Sequence, residues 1–513
     1  MPTLPKVITK LRERRQIEAE LRKMSTARSE AELRQRARQI AALGPQVIPA
    51  IVGNLDRADS QLLTAIGMVT LFLDREEVIA ALHQAVRHPQ RTEQGRVSAL
   101  TVLERFLGEP PDDELLTALR EAPLLSLDTV LSRAEADPTV LSDYVQQLDR
   151  QDPDTVLAVC RELAGVGSPG AVELLRLMAQ DVRAEIAAEA VRICATIRRP
   201  EAARGLQTLL PIIHPELRPL TERSLRRLLF VGVKIEDLPS PDPDWRALVS
   251  PVDGVGQQSV WFIQPERRTA QARFLNILLD DQMGAVNAAA HDQAPVAALP
   301  PQRPVGHLHD VILPDGSGSL LMLEVPFDMG RRLVRDALAL NRRTQVPVTG
   351  PLRLRSPWLW AAAGADELPP RALPEIARGE ESLWTVSDLL LSHPAFATWT
   401  VQSEAILEAA SDLQRRRWDR ETWIKQFAAE LAGEPVVVEV LSERLLVMSE
   451  WLLISGDKTR SRIALVTARR LRAGGVRNMP LLRELVRRDL ENALRSSKES
   501  EADSRRGIKF DEE

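Results

Sequence analysis

The sequence predicts a mainly α-helical chain: an array of helical hairpins, then a small α+β module, then a C-terminal all-α block. Three observations carry this. Apolar residues recur at helical spacing from about residue 27 to 232, in segments closed by Pro, Gly or Asp. That periodicity fails at VGVKIEDLPSPDPDW, residues 231–245, where prolines crowd the chain. From Leu368 it resumes.

Length fits the same division, because 513 residues exceed one ordinary core and roughly 100–200 residues per domain suggest about three units. The expected limits are an N-terminal helix over 1–26, helical repeats over 27–235, the α+β module over 245–350, the helical block over 368–496 and a structureless tail over 497–513. A content of 44% hydrophobic and 27% charged residues leaves ample apolar surface and argues against wholesale disorder.

Within the array, helices open on residues suited to a first turn. Gly44-Pro45, LDREEVIAALHQAV, EPPDDELLTALREA, GSPGAVELLRLMA and RRPEAARGLQTLL each place Pro or Asp where no backbone N–H is needed and negative charge suits the dipole. Several openings lie about 29–38 residues apart, the period of helical-hairpin repeats. GSPGAVELLRLMA followed by EIAAEAVRICATI, with small Ala187, Ala188 and Ala190 at a helix contact, resembles one HEAT unit. The chain is thus similar, over roughly its 27–235 stretch, to bacterial HEAT-repeat-containing proteins. The resemblance implies an α-solenoid whose concave face binds a protein, and it carries no catalytic residue.

The α+β module begins at SPVDGVGQQSVWFIQPE. Asp253-Gly254-Val255-Gly256 reads as a tight turn leading into a strand through Val260, Trp261, Phe262 and Ile263. ARFLNILLDDQMGAVNAAA predicts a strand, a turn at Gly284 and a second strand; QAPVAALPPQRPVG a loop; GSGSLLMLEVP another strand. Asp328 is placed to cap the helix MGRRLVRDALALNRR. Further on, Gly456-Asp457 and Gly474-Gly475 stop helices. SEWLLISGDKTRSRIALVTARRL resembles a tetratricopeptide-like hairpin.

Charge and motifs narrow the function classes. A net charge of −5 supplies no global basic field, so nucleic acid would need a local patch. The best such patch is Arg415, Arg416, Arg417, Trp418, Arg420 and Trp423, where guanidinium groups adjoin aromatic faces. The other tryptophans of the C-terminal part, Trp358, Trp360, Trp384, Trp399 and Trp451, fall at apolar helical positions and are expected in cores.

His307 and His309, separated by one residue, can point the same way from a strand and share a ligand or metal with Asp253, Asp280 or Asp281. DGVGQ and DGSGS match no phosphate loop, and no GxSxG nucleophile elbow occurs. Cys160 and Cys194 sit among apolar helical positions and are expected to stay reduced. No apolar run reaches membrane-spanning length, and Glu13, Glu18 and Glu20 argue against a transit peptide.

The expected protein is therefore a cytoplasmic, non-catalytic protein-binding scaffold without a cofactor. Its alternatives are a nucleic-acid-associated protein using Arg-rich helix faces, and a ligand- or metal-dependent α+β module.

Overall fold

The computed structural model describes residues 17, 20, 30–44, 46–57, 60–88, 91–109, 126–312, 318–401, 405–406, 409–410, 419–474 and 478–507. They belong to two compact units, Met1–Thr129 and Val130–Glu513. The helical opening EPPDDELLTALREA lies outside the described residues beyond its first, and so do Asp315–Ser317 of DGSGS and most of residues 1–26.

The first unit is helical. It comprises α1 (Glu30–Ala41), α2 (Val47–Asn54), α3 (Ser60–Thr70), α4 (Arg75–Arg87) and α5 (Glu93–Leu107). Asp74 accepts from Glu77 N at 3.0 Å to start α4, and Thr92 accepts from Gly95 N at 3.0 Å to start α5. Each cap satisfies a first-turn donor that has no partner within its helix. Ile51, Leu55, Ile66, Val69, Leu82 and Val102 are buried among one another.

The helix α6 (Leu127–Ala134) runs across the division at residue 129, and in the second unit α7 (Thr139–Leu148), α8 (Pro153–Val166), α9 (Pro169–Met178), α10 (Ala184–Cys194), α11 (Pro200–Leu209) and α12 (Arg218–Phe230) follow in order. Asp152 caps α8 and Ser168 caps α9, each with proline in the first turn, and GSPGAVELLRLMA predicts the second of these starts. Helices two apart pack together: α7 with α9 and α9 with α11, then α8 with α10 and α10 with α12. Cys160 and Cys194 are buried free thiols, both pushed up to about 12, chiefly by burial.

The expected limit near 235–245 is a change of secondary structure inside this unit, since helices and sheet beyond it belong to one packed body. Six antiparallel strands follow where the sequence predicts four: β1 (Arg246–Val249), β2 (Gln257–Pro265), β3 (Gln271–Asp280), β4 (Gly284–Pro295), β5 (Leu308–Ile312) and β6 (Ser319–Val325). Their order is β4-β3-β2-β1-β6-β5. The four residues of β1 are all buried, so it lacks the alternation that would reveal it.

One sheet face receives α13 (Phe327–Thr344), where Phe262 meets Phe327 edge-on with ring centroids 5.5 Å apart. A Cβ on Gly330 would lie 2.9 Å from the Phe262 ring, so glycine lets this helix approach the sheet. The helix starts at Pro326, and Asp328 does not cap it; its carboxylate instead pairs with Arg331 one turn on. The other face holds Leu248, Ile263, Ala272 and Met322, with Trp261, Phe274 and Leu299 packed around them.

The chain then forms α14 (Gly350–Trp360), a 3₁₀ segment over Glu380–Ser392, α15 (Arg420–Leu431), α16 (Pro435–Ile454), α17 (Lys458–Ala473) and α18 (Pro480–Gly507). α16 and α17 make the expected hairpin, and α18 carries helix into the stretch expected to be a structureless tail. Trp360, Trp399 and Trp451 are buried, while Trp358, Trp384 and Trp423 are only half-buried. No described helix is long and apolar enough to cross a membrane.

Candidate functional site

The helical array of the second unit has two layers, and the chain itself occupies one of them. α14 lies across α7, α9 and α11. Arg353, fully buried on α14, reaches Asp149 at 2.9 and 3.1 Å. In return, Arg176 of α9 donates to Ser356 Oγ at 2.8 Å, to the Arg353 carbonyl at 3.1 Å and to the Leu354 carbonyl at 3.0 Å. Buried guanidinium groups need such partners, because removing one side of a buried pair costs about 3–5 kcal/mol.

The surface left open lies at the end of the array. α12 packs on α10 and α11, and Thr221, Ser224 and Leu228 are its buried positions. Arg223, Arg226, Arg227 and Phe230 fall at i, i+3, i+4 and i+7 and therefore share one helix face. All four are exposed, Phe230 to 93%, with Leu229 beside them at 60%. Among the described residues none of the three arginines has a carboxylate within ion-pair distance.

The ligand or metal candidates of the sheet module are not brought together. Asp253 accepts from Val255 N at 3.0 Å and Gln257 N at 2.7 Å, closing its own turn. Asp280 does the same for Gln282 N at 2.8 Å and Met283 N at 3.0 Å. Asp281 is taken by Arg444 of α16, side-on through Nε and Nη2. His309 lies on β5, four strand spacings from β3, or about 19 Å across the sheet. Among the described residues no three His, Cys, Asp or Glu side chains are grouped to hold a metal.

DGVGQ is a structural turn. Arg444 Nη1 donates to the Gly254 carbonyl at 2.8 Å, and Gly254 N donates to Thr398 Oγ1 at 3.2 Å. A Cβ on Gly254 would lie 1.9 Å from the Thr398 carbonyl oxygen, so only glycine fits.

His309 and His307 do meet edge-on, with centroids 4.8 Å apart, but their partner is one the sequence reading missed. His309 Nε2 lies 3.1 Å from Glu324 Oε1, and Glu324 also forms a buried ion pair with Arg246. Arg246 in turn donates to the Pro300 and Pro301 carbonyls at 2.8 and 3.1 Å, tying the loop after β4 to the sheet. Burial lowers the His309 pKa, with the charge of Arg246 and the neighbouring His307 acting the same way and Glu324 opposing. A lone glutamate in the apolar run LLMLEV was the available signal for this cluster.

Of the arginine-tryptophan candidates, Arg415, Arg416, Arg417 and Trp418 lie outside the described residues. Arg420 is exposed in the first turn of α15, and Trp423 stacks on Phe427 with centroids 4.9 Å apart. That pairing accounts for one Trp423 face by local helix packing.

Fold and surface together define a mainly α-helical chain whose described residues include one six-stranded antiparallel sheet, in the second unit, and an exposed basic-apolar face on α12. No family model, curated protein or solved structure matches the chain.

Proposed function

We propose that the chain is a non-catalytic protein-binding scaffold of HEAT-like architecture, acting in the cytoplasm, and that its docking surface is the outer face of α12. The observation that carries this is the one-sided placement of Arg223, Arg226, Arg227 and Phe230. Favourable interaction with the helix dipole explains basic residues near a C-terminus, at about 0.3–1 kcal/mol each. It does not explain a phenylalanine left 93% in water. Terminal helices of repeat arrays ordinarily carry a polar outer face, and burying one phenylalanine returns about 1.5–3 kcal/mol.

The partner that fits is a protein segment with carboxylates around an apolar pocket. The arginines steer its approach and the aromatic ring anchors it. A photo-crosslinking residue at position 230 of the full chain should give a discrete protein adduct. The adduct should map to an acidic segment and disappear when Arg223→Glu, Arg226→Glu and Arg227→Glu are combined. No adduct, or one indifferent to those three changes, refutes the reading. An adduct that is nuclease-sensitive and lost with rising salt would instead favour nucleic acid, whose phosphates the same unpaired arginines can neutralise.

A further inference from the structure

We propose that β5 is an open sheet edge that accepts an extended segment of a partner protein as an added strand, and that this segment carries a basic residue flanked at two residues' distance by apolar ones. The edge lies on a different element from α12, and the inference does not rest on that face.

The two edges of the sheet differ. β4 packs against α13 and α14, Arg355 of α14 pairs with Asp292 on it, and its register with β3 shifts at two places. Cover and irregularity of this kind keep an edge from pairing further. β5 pairs with β6 in unbroken register from Leu308 opposite Leu323 to Ile312 opposite Ser319, and among the described residues no other strand pairs with it. Antiparallel pairing uses the N–H and C=O of alternate residues. The bond from Glu324 N to the His307 carbonyl sets the phase, so His309 and Val311 turn theirs toward β6 while Leu308, Asp310 and Ile312 turn theirs outward. No proline in β5 removes an outward donor.

The side chains of those three residues share one sheet face. Ile312 is 78% exposed and Leu308 37%, with exposed Asp310 between them. His309 and Val311 point to the other face, where Val311 packs on the cluster around Met322. Among the described residues the Asp310 carboxylate has no cation within ion-pair distance.

That charge chooses the occupant. Residues directly opposite Leu308, Asp310 and Ile312 in an added strand fall on the same face, so apolar side chains meet the two ends and Lys or Arg meets the middle. A second copy fits badly. Antiparallel self-pairing with Leu308 opposite Ile312 sets Asp310 against Asp310, and a slip of two residues sets it against Leu308 or Ile312. β5 therefore resists self-pairing while offering main-chain bonds to a complementary segment, the division of affinity and specificity that strand addition uses.

The test uses the full chain and two end-blocked, fluorescently labelled peptides, Thr-Ile-Thr-Lys-Thr-Ile-Thr and the same sequence with Glu at its centre. The pattern reads alike in either strand direction. Binding is followed by anisotropy and by hydrogen exchange. The Lys peptide should bind saturably, about three- to tenfold more tightly than the Glu peptide, and slow exchange over Leu308–Ile312. Asp310→Lys should reverse the order of the two peptides. Ile312→Pro removes an outward N–H and an apolar contact while sparing the bonds to β6, and should weaken the Lys peptide at least about fivefold.

No saturable binding of the Lys peptide, equal affinity for both peptides, an unreversed order in Asp310→Lys, or slowed exchange that spares β5 would each overturn the proposal. A chain that sediments as a dimer, and as a monomer once Ile312→Pro is introduced, would overturn it in favour of a second copy. Should Ile312→Pro lower the thermal midpoint, the charge reversal at exposed Asp310 still decides the matter. Crosslinking at position 230 reads α12 alone, so the two surfaces fail separately.

Discussion

Substituting Gly254→Ala tests whether the DGVG turn is a packing device. The added Cβ would lie 1.9 Å from the Thr398 carbonyl oxygen, 2.8 Å from its carbon and 3.1 Å from Thr400 N. All three are backbone atoms, so no side chain can swing aside. Both strands of chain are also pinned. Arg444 holds the Gly254 carbonyl at 2.8 Å, and Trp399 Nε1 donates to the Val252 carbonyl at 2.9 Å. Relief requires a backbone shift of about 1 Å, which costs about 1–3 kcal/mol for overpacking and about 1 kcal/mol for each hydrogen bond stretched. A total of about 3–5 kcal/mol follows. With an unfolding entropy of about 2.1 cal/mol/K per residue over the 384 residues from Val130 to Glu513, the midpoint falls by about 4–6 °C. Gly165→Ala is the matched control. Gly165 sits inside α8 with open space around its Cβ position, so alanine should stabilise by about 0.5–1 kcal/mol. Thermal and urea denaturation followed by circular dichroism measure both. Equal midpoints for the two variants would refute the steric argument.

Two further predictions rest on buried charge. Because burial holds the folded His309 pKa below its ordinary 6.5, the unfolded chain takes up this proton first as pH falls. Its stabilising contribution is whole above about pH 6.5 and shrinks as pH drops from there through the folded pKa. His309→Gln, which can still donate to Glu324, should therefore lose less stability than the parent between about pH 7 and pH 5; identical pH profiles would exclude this role. In the C-terminal block, Glu450 of α16 pairs with buried Arg332 of α13 and accepts from Ala372 N at 2.8 Å. Glu450→Leu should cost about 3–5 kcal/mol by leaving Arg332 unpaired, and adding Arg332→Met should recover much of it. A single-variant cost below about 1 kcal/mol would contradict a desolvated pair.

How far the fold was legible varies with the length and spacing of each element. Helices with Pro, Asp or Ser at their starts, such as α4 and α9, stand near where spacing and capping place them, because those signals act within one turn. β2, β3 and β4 were legible too, having both strand composition and a turn residue between them. β1 and β5 were not. Four residues without alternation, and five carrying two polar side chains, hold no period to detect. Asp328 looked like a cap because its spacing allows one, but the helix begins two residues earlier, with Pro326 at the N-cap position.

The candidate site was less legible still. His307, His309, Asp253, Asp280 and Asp281 were grouped by proximity in sequence, whereas sheet order sets His309 on β5 far from Asp280 on β3, and the turns that hold Asp253 and Asp281 give each its own partners. Arg223, Arg226 and Arg227 look like any of the chain's many arginines until their neighbours are known. Whether an arginine is spent in an ion pair can depend on residues far along the chain, as Arg353 on Asp149 and Arg332 on Glu450 illustrate.

The sequence by itself determined what is local: the predominance of helix, most helix starts, the DGVG turn, and the entry into a sheet after the proline cluster. Tertiary structure alone decided the order of the strands and the covering of one helical layer by α14. It also decided which charges remain uncommitted at α12. The physical reason is range. Backbone capping and apolar periodicity operate over a few residues, while pairing and desolvation of charge depend on whatever the fold brings within about 4 Å.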